Sequence, residues 1–293
     1  MSLADDDGHW VRRAARTMGF SCSAFAVVAL AQAQMPAKII PAHISAAVAD
    51  PNRPDTDRRR DADRKPAEVI AFAGLKPGDK VADFMPGNGY FTRIFCKAVG
   101  DAGHVYAISV PSAATSTSKP TAATPGEDCK NVTASTLASR NFPAPELHSD
   151  SDDPGWVYEY WAHRLPVESF FAPEPLDMIW ISENYHDLHS ARFGAPNLPP
   201  NIQFVDAALL TALKPGGTLM IEDHVAKAGS GARDTETLHR IDPEQVKNEA
   251  ILAGFEFVGQ SNVLRHADDP HTAKAHEMHD KTDRFLFKFR KPE

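Results

Sequence analysis

Cysteine is scarce in this 293-residue chain. Cys22, Cys96 and Cys129 are too few for a disulfide scaffold, and no two of them form a Cys-x-x-Cys pair. Long apolar runs are also missing. No stretch reaches the roughly 18 uninterrupted apolar residues of a membrane-spanning helix, which excludes a multi-pass membrane protein. Positive charge is not in excess: 31 Lys and Arg stand against 39 Asp and Glu, a net charge of −8. That argues against nucleic acid as the main partner, because its backbone needs a basic surface. Proline and glycine, 23 and 17 residues, are close to average usage, so collagen-like and wholly disordered chains are out. What remains, 42% apolar and 24% charged, is the composition of a soluble globular protein.

Arg12, Arg13 and Arg16 precede an apolar run from Met18 to Ala31, and Ala31-Gln32-Ala33 has the small-x-small pattern of a cleavage site. This order predicts an export signal over residues 1–33 and a periplasmic or secreted protein. A buried or anchoring N-terminal helix, in a cytoplasmic protein, is the alternative. No stable membrane insertion is expected after cleavage. Removal of the signal leaves Cys96 and Cys129, which can pair in an oxidising compartment. Two unrelated buried thiols are the simpler expectation.

Residues 34–51 read as a flexible lead-in, and residues 52–293 as one domain with a loop-rich insertion at about 111–165. Residues 55–73 read as helix. The first half, Asp55 to Lys65, is a mixed-charge run, most simply a solvated face, and Pro66 interrupts it and opens a second helix. Short apolar strands are expected at Lys80–Phe84, His104–Val110, Asn131–Ser135, Leu176–Ser182 and Thr218–Glu222. Helices alternate with them, which marks a parallel α/β sheet. Asp242-Pro243-Glu244-Gln245 has the residues of a helix start, and Gly254 those of a helix end. The last two strands, Phe255–Leu264 and Asp283–Arg290, leave no room for an apolar crossover helix and are expected to run antiparallel. Trp156 to Phe171 is aromatic-rich, a candidate cap over a site.

The first strand runs into Met85-Pro86-Gly87-Asn88-Gly89-Tyr90, where a helix begins. A Gly-rich strand-to-helix turn lets a ligand approach the backbone and sets helix N–H groups beside it. Thr92 occupies the third glycine position of the dinucleotide fingerprint, which weakens a nicotinamide or flavin reading. No Gly-Lys-Ser/Thr follows, so triphosphate hydrolysis is not supported. Asp83 suits a ligand carrying an ammonium group.

Asp83-x-x-Pro86-Gly87-x-Gly89 resembles motif I of class I S-adenosylmethionine-dependent methyltransferases. Leu213-Lys214-Pro215-Gly216-Gly217 resembles their turn before strand five, and the final antiparallel pair matches their sheet. Asp50-Pro51, Asn184 to His189, His239 to Asp242 and Lys281 to Phe285 are similar to segments of a group of bacterial methyltransferases that often carry export signals. The resemblance implies an α/β, Rossmann-like, seven-stranded, mostly parallel sheet with an antiparallel C-terminal strand and helices on both faces. It implies S-adenosylmethionine as cofactor, held by Asp83, Pro86, Gly87, Gly89, Tyr90, Ser109 and Asn184, and methyl transfer to a small-molecule substrate. Ser109 departs from the pattern: an acidic residue at the end of strand two usually holds the ribose hydroxyls, and serine offers one hydrogen bond without charge.

Ligands of open α/β sheets bind at the carboxyl ends of the strands. Asn184 to His189, then Glu222, Asp223 and His224, and finally His239 are expected there. His186 or His224 is the candidate general base, oriented by Asp187 or Asp223. Two other functions remain open, an exported protein that kept the fold without catalysis, and a metal-dependent enzyme using His186, Asp187, His189, Asp223 and His224. No H-E-x-x-H spacing is present, so no metal ligands are assigned. His266, His271, His276 and His279 read as a solvated loop.

Overall fold

The computed structural model describes residues 39–109, 129–136, 172–189 and 202–293. The candidate export signal and the aromatic segment Trp156 to Phe171 lie outside the described residues, as does most of the insertion.

Seven strands form one sheet in the order β3-β2-β1-β4-β5-β7-β6. They are β1 (Lys80–Phe84), β2 (His104–Ser109), β3 (Val132–Thr136), β4 (Leu176–Ser182), β5 (Leu213–His224), β6 (Glu256–Ser261) and β7 (Arg284–Arg290). The first five are parallel, and β7 runs antiparallel to both β5 and β6. This is the Rossmann-like sheet expected from the sequence. Its strand order turns back between β1 and β4, which opens a crevice at their carboxyl ends.

The central strands are apolar on both faces because helices cover both. Successive side chains point to opposite faces. Thus Val81, Val105, Met178, Trp180 and Met220 pack with Ile44, Val69, Ile70, Ile94 and Phe95. Those partners belong to α1 (Ala42–Val48), α4 (Pro66–Ala73) and α5 (Tyr90–Val99). Ala82, Phe84, Ile179, Ile181, Leu219 and Ile221 pack on the other face with Leu209, Val246 and Ala250, from α6 (Ile202–Ala212) and α8 (Pro243–Leu252). The Asp242 side chain caps α8 by accepting from the Glu244 N–H at 3.1 Å. Gly217 is required within β5, where the Lys-Pro-Gly-Gly segment breaks the register with β4: a Cβ there would lie 2.8 Å from the Lys214 carbonyl oxygen.

Three expectations change. The lead-in contains α1, whose Ile44 is fully buried against α5. The charged run is a solvated face only in part, at Asp55, Arg58 and Arg59. It forms two single-turn helices, α2 (Asp55–Arg58) and α3 (Asp61–Arg64), and Arg53, Asp57 and Arg64 are buried. Asp61 accepts both guanidinium nitrogens of Arg53 at 2.7 and 2.8 Å. Asp57 accepts Arg93 Nε at 2.7 Å. Opposite charges that neutralise each other in pairs can leave water, whereas single ones cannot. Finally, Cys96 in α5 and Cys129 form a disulfide, rather than standing as unrelated thiols.

Candidate active site

β1 delivers the Gly-rich turn, β4 delivers the segment Glu183 to His189, and β5 ends on Asp223 and His224. All three meet at the carboxyl edge of the sheet. The residues after β4 form a single 3-10 turn, His186–His189. Tyr185 and Leu188 anchor it in the core. Tyr185 Oη lies 2.9 Å from Asp206 and 3.1 Å from Glu249. Burial, then the nearby Glu249, pushes the Asp206 carboxyl well above the usual carboxylate range. His189 turns the same way and meets Glu249 at 2.9 Å. His186 and Asp187 turn the other way, into a cavity of about 340 Å³ lined also by Arg60, Glu183, His224, His239, His276 and Asp280.

Asp223 is fully buried and orients His186. It accepts the His186 ring at Nδ1 (2.8 Å) and the backbone N–H groups of His186 and His224, each at 2.7 Å. A carboxylate only accepts, so Nδ1 carries the proton and the Nε2 lone pair is left for the cavity. Burial pushes the His186 imidazolium down. Asp223, Asp187 and Glu183 outweigh this and raise its pKa above the ordinary value. His224 goes the other way: burial lowers it to about 4, so its ring is neutral at pH 7. Its Nδ1 lies 2.7 Å from Thr282 Oγ1. Of the two candidate bases, His186 has the carboxylate partner and the basicity, and the partner is Asp223 rather than Asp187.

The far wall is ionic. Asp280 accepts Arg60 and Arg64 at 2.6 and 2.9 Å. Burial raises its carboxyl, but the two arginines dominate and hold it at about 2. Glu183 accepts Arg64 and, at 2.7 Å, Arg284. Glu222 does not face the cavity; it is buried under Arg284 (2.8 Å) and Ser182 (2.7 Å). His239 enters from the end of α7 (Thr235–Leu238). The next residue, Arg240, is fully buried and bonded to Asp269 (2.8 Å) and the Val225 carbonyl (2.9 Å), which fixes that segment. His276 comes from α9 (Ala275–Met278). Local reading gave Glu183, His276 and Asp280 no role at the site, because nothing in their neighbourhood signals these long-range contacts. His271 bonds Asp283 at 3.1 Å.

Met85, Glu183 and His239 have φ of 59°, 59° and 53°. Non-glycine residues in the left-handed region each cost of order 1–3 kcal/mol, and such strain concentrates at functional sites. All three border this crevice.

The turn has the form of a ligand cradle. Gly87 has φ 53°, and a Cβ there would meet nothing within 4 Å, so the backbone presents an open surface beside the start of α5. Asn184 ties β4 to the turn, its Nδ2 donating to the carbonyls of Met85 (3.1 Å) and Ser182 (2.6 Å). Ser109 ends β2, half-buried and opposite Thr136. Pro86 and Gly89 shape the turn, with Gly89 donating back to the Pro86 carbonyl at 2.9 Å. Two side chains expected to face a ligand are used inside the protein instead. Asp83 is buried and accepts Thr92 Oγ1 at 2.6 Å; burial raises its carboxyl to about 6. Tyr90 donates its hydroxyl to Asp61 at 2.6 Å, and its ring packs under Arg53 and Arg64. The residues therefore fit a cofactor held chiefly by backbone.

No protein-family model and no curated protein matches the chain. Solved structures similar to it include a SAM-dependent methyltransferase from Aquifex aeolicus, 17% identical, covering 82% of this chain and 98% of that one with a TM-score of 0.46. An arsenic(III) S-adenosylmethionine methyltransferase from Chlamydomonas reinhardtii is 12% identical, covering 86% of this chain and 74% of that one at 0.44. The cyclase SpnF is 18% identical, covering 79% of this chain and 81% of that one at 0.46. Likeness at this identity concerns the fold, and the same fold serves more than one chemistry.

Proposed function

We propose that this chain is an S-adenosylmethionine-dependent methyltransferase acting on a small polar acceptor. The observation that carries the reading is the His186–Asp223 pair, which opens into a cavity at the carboxyl edge of the sheet, the edge at which the Gly-rich turn also ends β1. Bound S-adenosylmethionine supplies an activated methyl group. The open backbone at Gly87 and the first N–H groups of α5 accommodate the cofactor, and Asn184 holds the turn in place. The cavity holds the acceptor. Its wall of Arg60, Glu183, Asp280 and histidines selects a polar molecule, because an apolar one would leave those groups unpaired. His186 Nε2 accepts the acceptor's proton, and Asp223 stabilises the imidazolium that results.

Export is part of the proposal. The Cys96–Cys129 bond supports an oxidising compartment, where such bonds persist, in keeping with the N-terminal signal pattern. Calorimetric titration with S-adenosylmethionine and its demethylated product tests the cofactor. Micromolar binding is expected, and Gly87→Val abolishes it by filling the cradle. A folded chain that binds neither at millimolar concentration excludes the reading.

A further inference from the structure

We propose that His186, His239 and Asp187 form a binding site for one divalent transition-metal ion at the cavity wall. His186 Nε2 lies 3.3 Å from His239 Nδ1 and 3.6 Å from Asp187 Oδ1, and His239 Nδ1 lies 3.9 Å from Asp187 Oδ1. The point equidistant from the corners of that triangle is about 2.1 Å from each atom. Zinc bonds to imidazole nitrogen and carboxylate oxygen have that length.

The surroundings agree. A metal-ligating histidine usually donates its other ring N–H to a carboxylate, which fixes the tautomer and aims the lone pair. Asp223 does this for His186, and with two backbone N–H donors of its own it cannot swing away. His239 reaches the centre from the left-handed backbone that ends α7. Two imidazoles and one carboxylate leave coordination positions open, as in catalytic rather than structural metal sites. Those positions face the cavity, where His276, its ring 5.5 Å from that of His239, stands at the rim.

Metal binding itself is independent of methyl transfer. Its role rests on that reading: the ion would hold an oxygen of the acceptor at an open position. An ion and a proton exclude each other at His186 Nε2, so in the loaded protein His186 orients the ion instead of acting as base.

The test uses the whole chain, stripped with a chelator and titrated with Co(II), whose visible absorption reports histidine ligation. One Co(II) per chain, displaced by Zn(II), is expected. His239→Asn removes the imidazole yet tolerates a left-handed backbone; with Asp187→Asn it should weaken binding at least tenfold. Asp223→Asn should weaken it by about 10–100-fold, while His104→Gln, at the opposite end of the sheet, should change nothing. Circular dichroism checks that each variant folds. The proposal is overturned if the folded chain takes up no Co(II) at submillimolar concentration, or if the His239 and Asp187 variants bind it equally well. Titrating S-adenosylmethionine into the stripped and loaded samples separates the two readings. Cofactor without metal overturns this site alone, and metal without cofactor overturns the methyltransferase reading alone.

Discussion

Asp83→Asn should stabilise the protein, and only above mildly acidic pH. Asp83 closes β1 and is 3% exposed. Burial raises its carboxyl from 3.8 to about 6, against the hydrogen bonds from Thr92, which lower it. The folded chain thus binds a proton between those values that the unfolded chain does not. Stability must therefore fall as pH rises from about 4 to about 6 and stay flat on either side as far as this residue is concerned. Roughly two pKa units correspond to about 3 kcal/mol. Asparagine keeps an oxygen for Thr92 Oγ1 and carries no charge at any pH. Urea unfolding of both proteins at pH 4 and pH 7.5 isolates the effect, since the other titrating groups are common to both. The variant should match the parent at pH 4 and exceed it by up to about 3 kcal/mol at pH 7.5. An equal difference at the two values, or a less stable variant at pH 7.5, would refute the reasoning.

Other perturbations have defined outcomes. Cys96→Ser should cost about 4 kcal/mol, the chain-entropy value for a bond spanning 33 residues, and thermal melting with and without reductant should show the same loss in the parent. Arg284→Met leaves the buried Glu222 without its ion-pair partner, while Glu183 keeps Arg64, and should cost about 3–5 kcal/mol in urea unfolding. Adding Glu222→Gln should recover part of it. Tyr90→Phe removes a hydrogen bond to the Asp61 carboxylate and should cost about 1.5–3 kcal/mol by the same measurement.

The sheet was legible because its strands carry local signals. Lys80–Phe84 and Leu176–Ser182 are short apolar runs, and Asp242-Pro243 marks a helix start whatever surrounds it. The Gly-rich turn was legible for the same reason. The charged N-terminal run was misread because its meaning is not local: Arg60 and Arg64 find Asp280 more than 200 residues away. A sequence window sees nine charges and infers water, whereas the fold pairs several of them and buries Asp57 and Arg64. The His186 cluster was half legible. Its position after strand four drew attention to His186 and Asp187, but the choice of Asp223 as the orienting carboxylate depends on strand pairing. His239 was expected at the same edge on its own, and nothing in the spacing from 187 to 239 announces that the two share a centre. His276 and Asp280 sit in a polar stretch that reads as solvated, and only the packing of α3 against it makes them a wall.

The central claim is that the Gly-rich turn and the His186 cavity are two halves of one methyl-transfer site. A crystal structure of the chain with S-adenosylhomocysteine tests it most directly. The account predicts the ligand against Gly87, with its sulfur directed at the cavity that holds His186 and Asp187. A ligand bound elsewhere, or a sulfur turned away from that cavity, would contradict it.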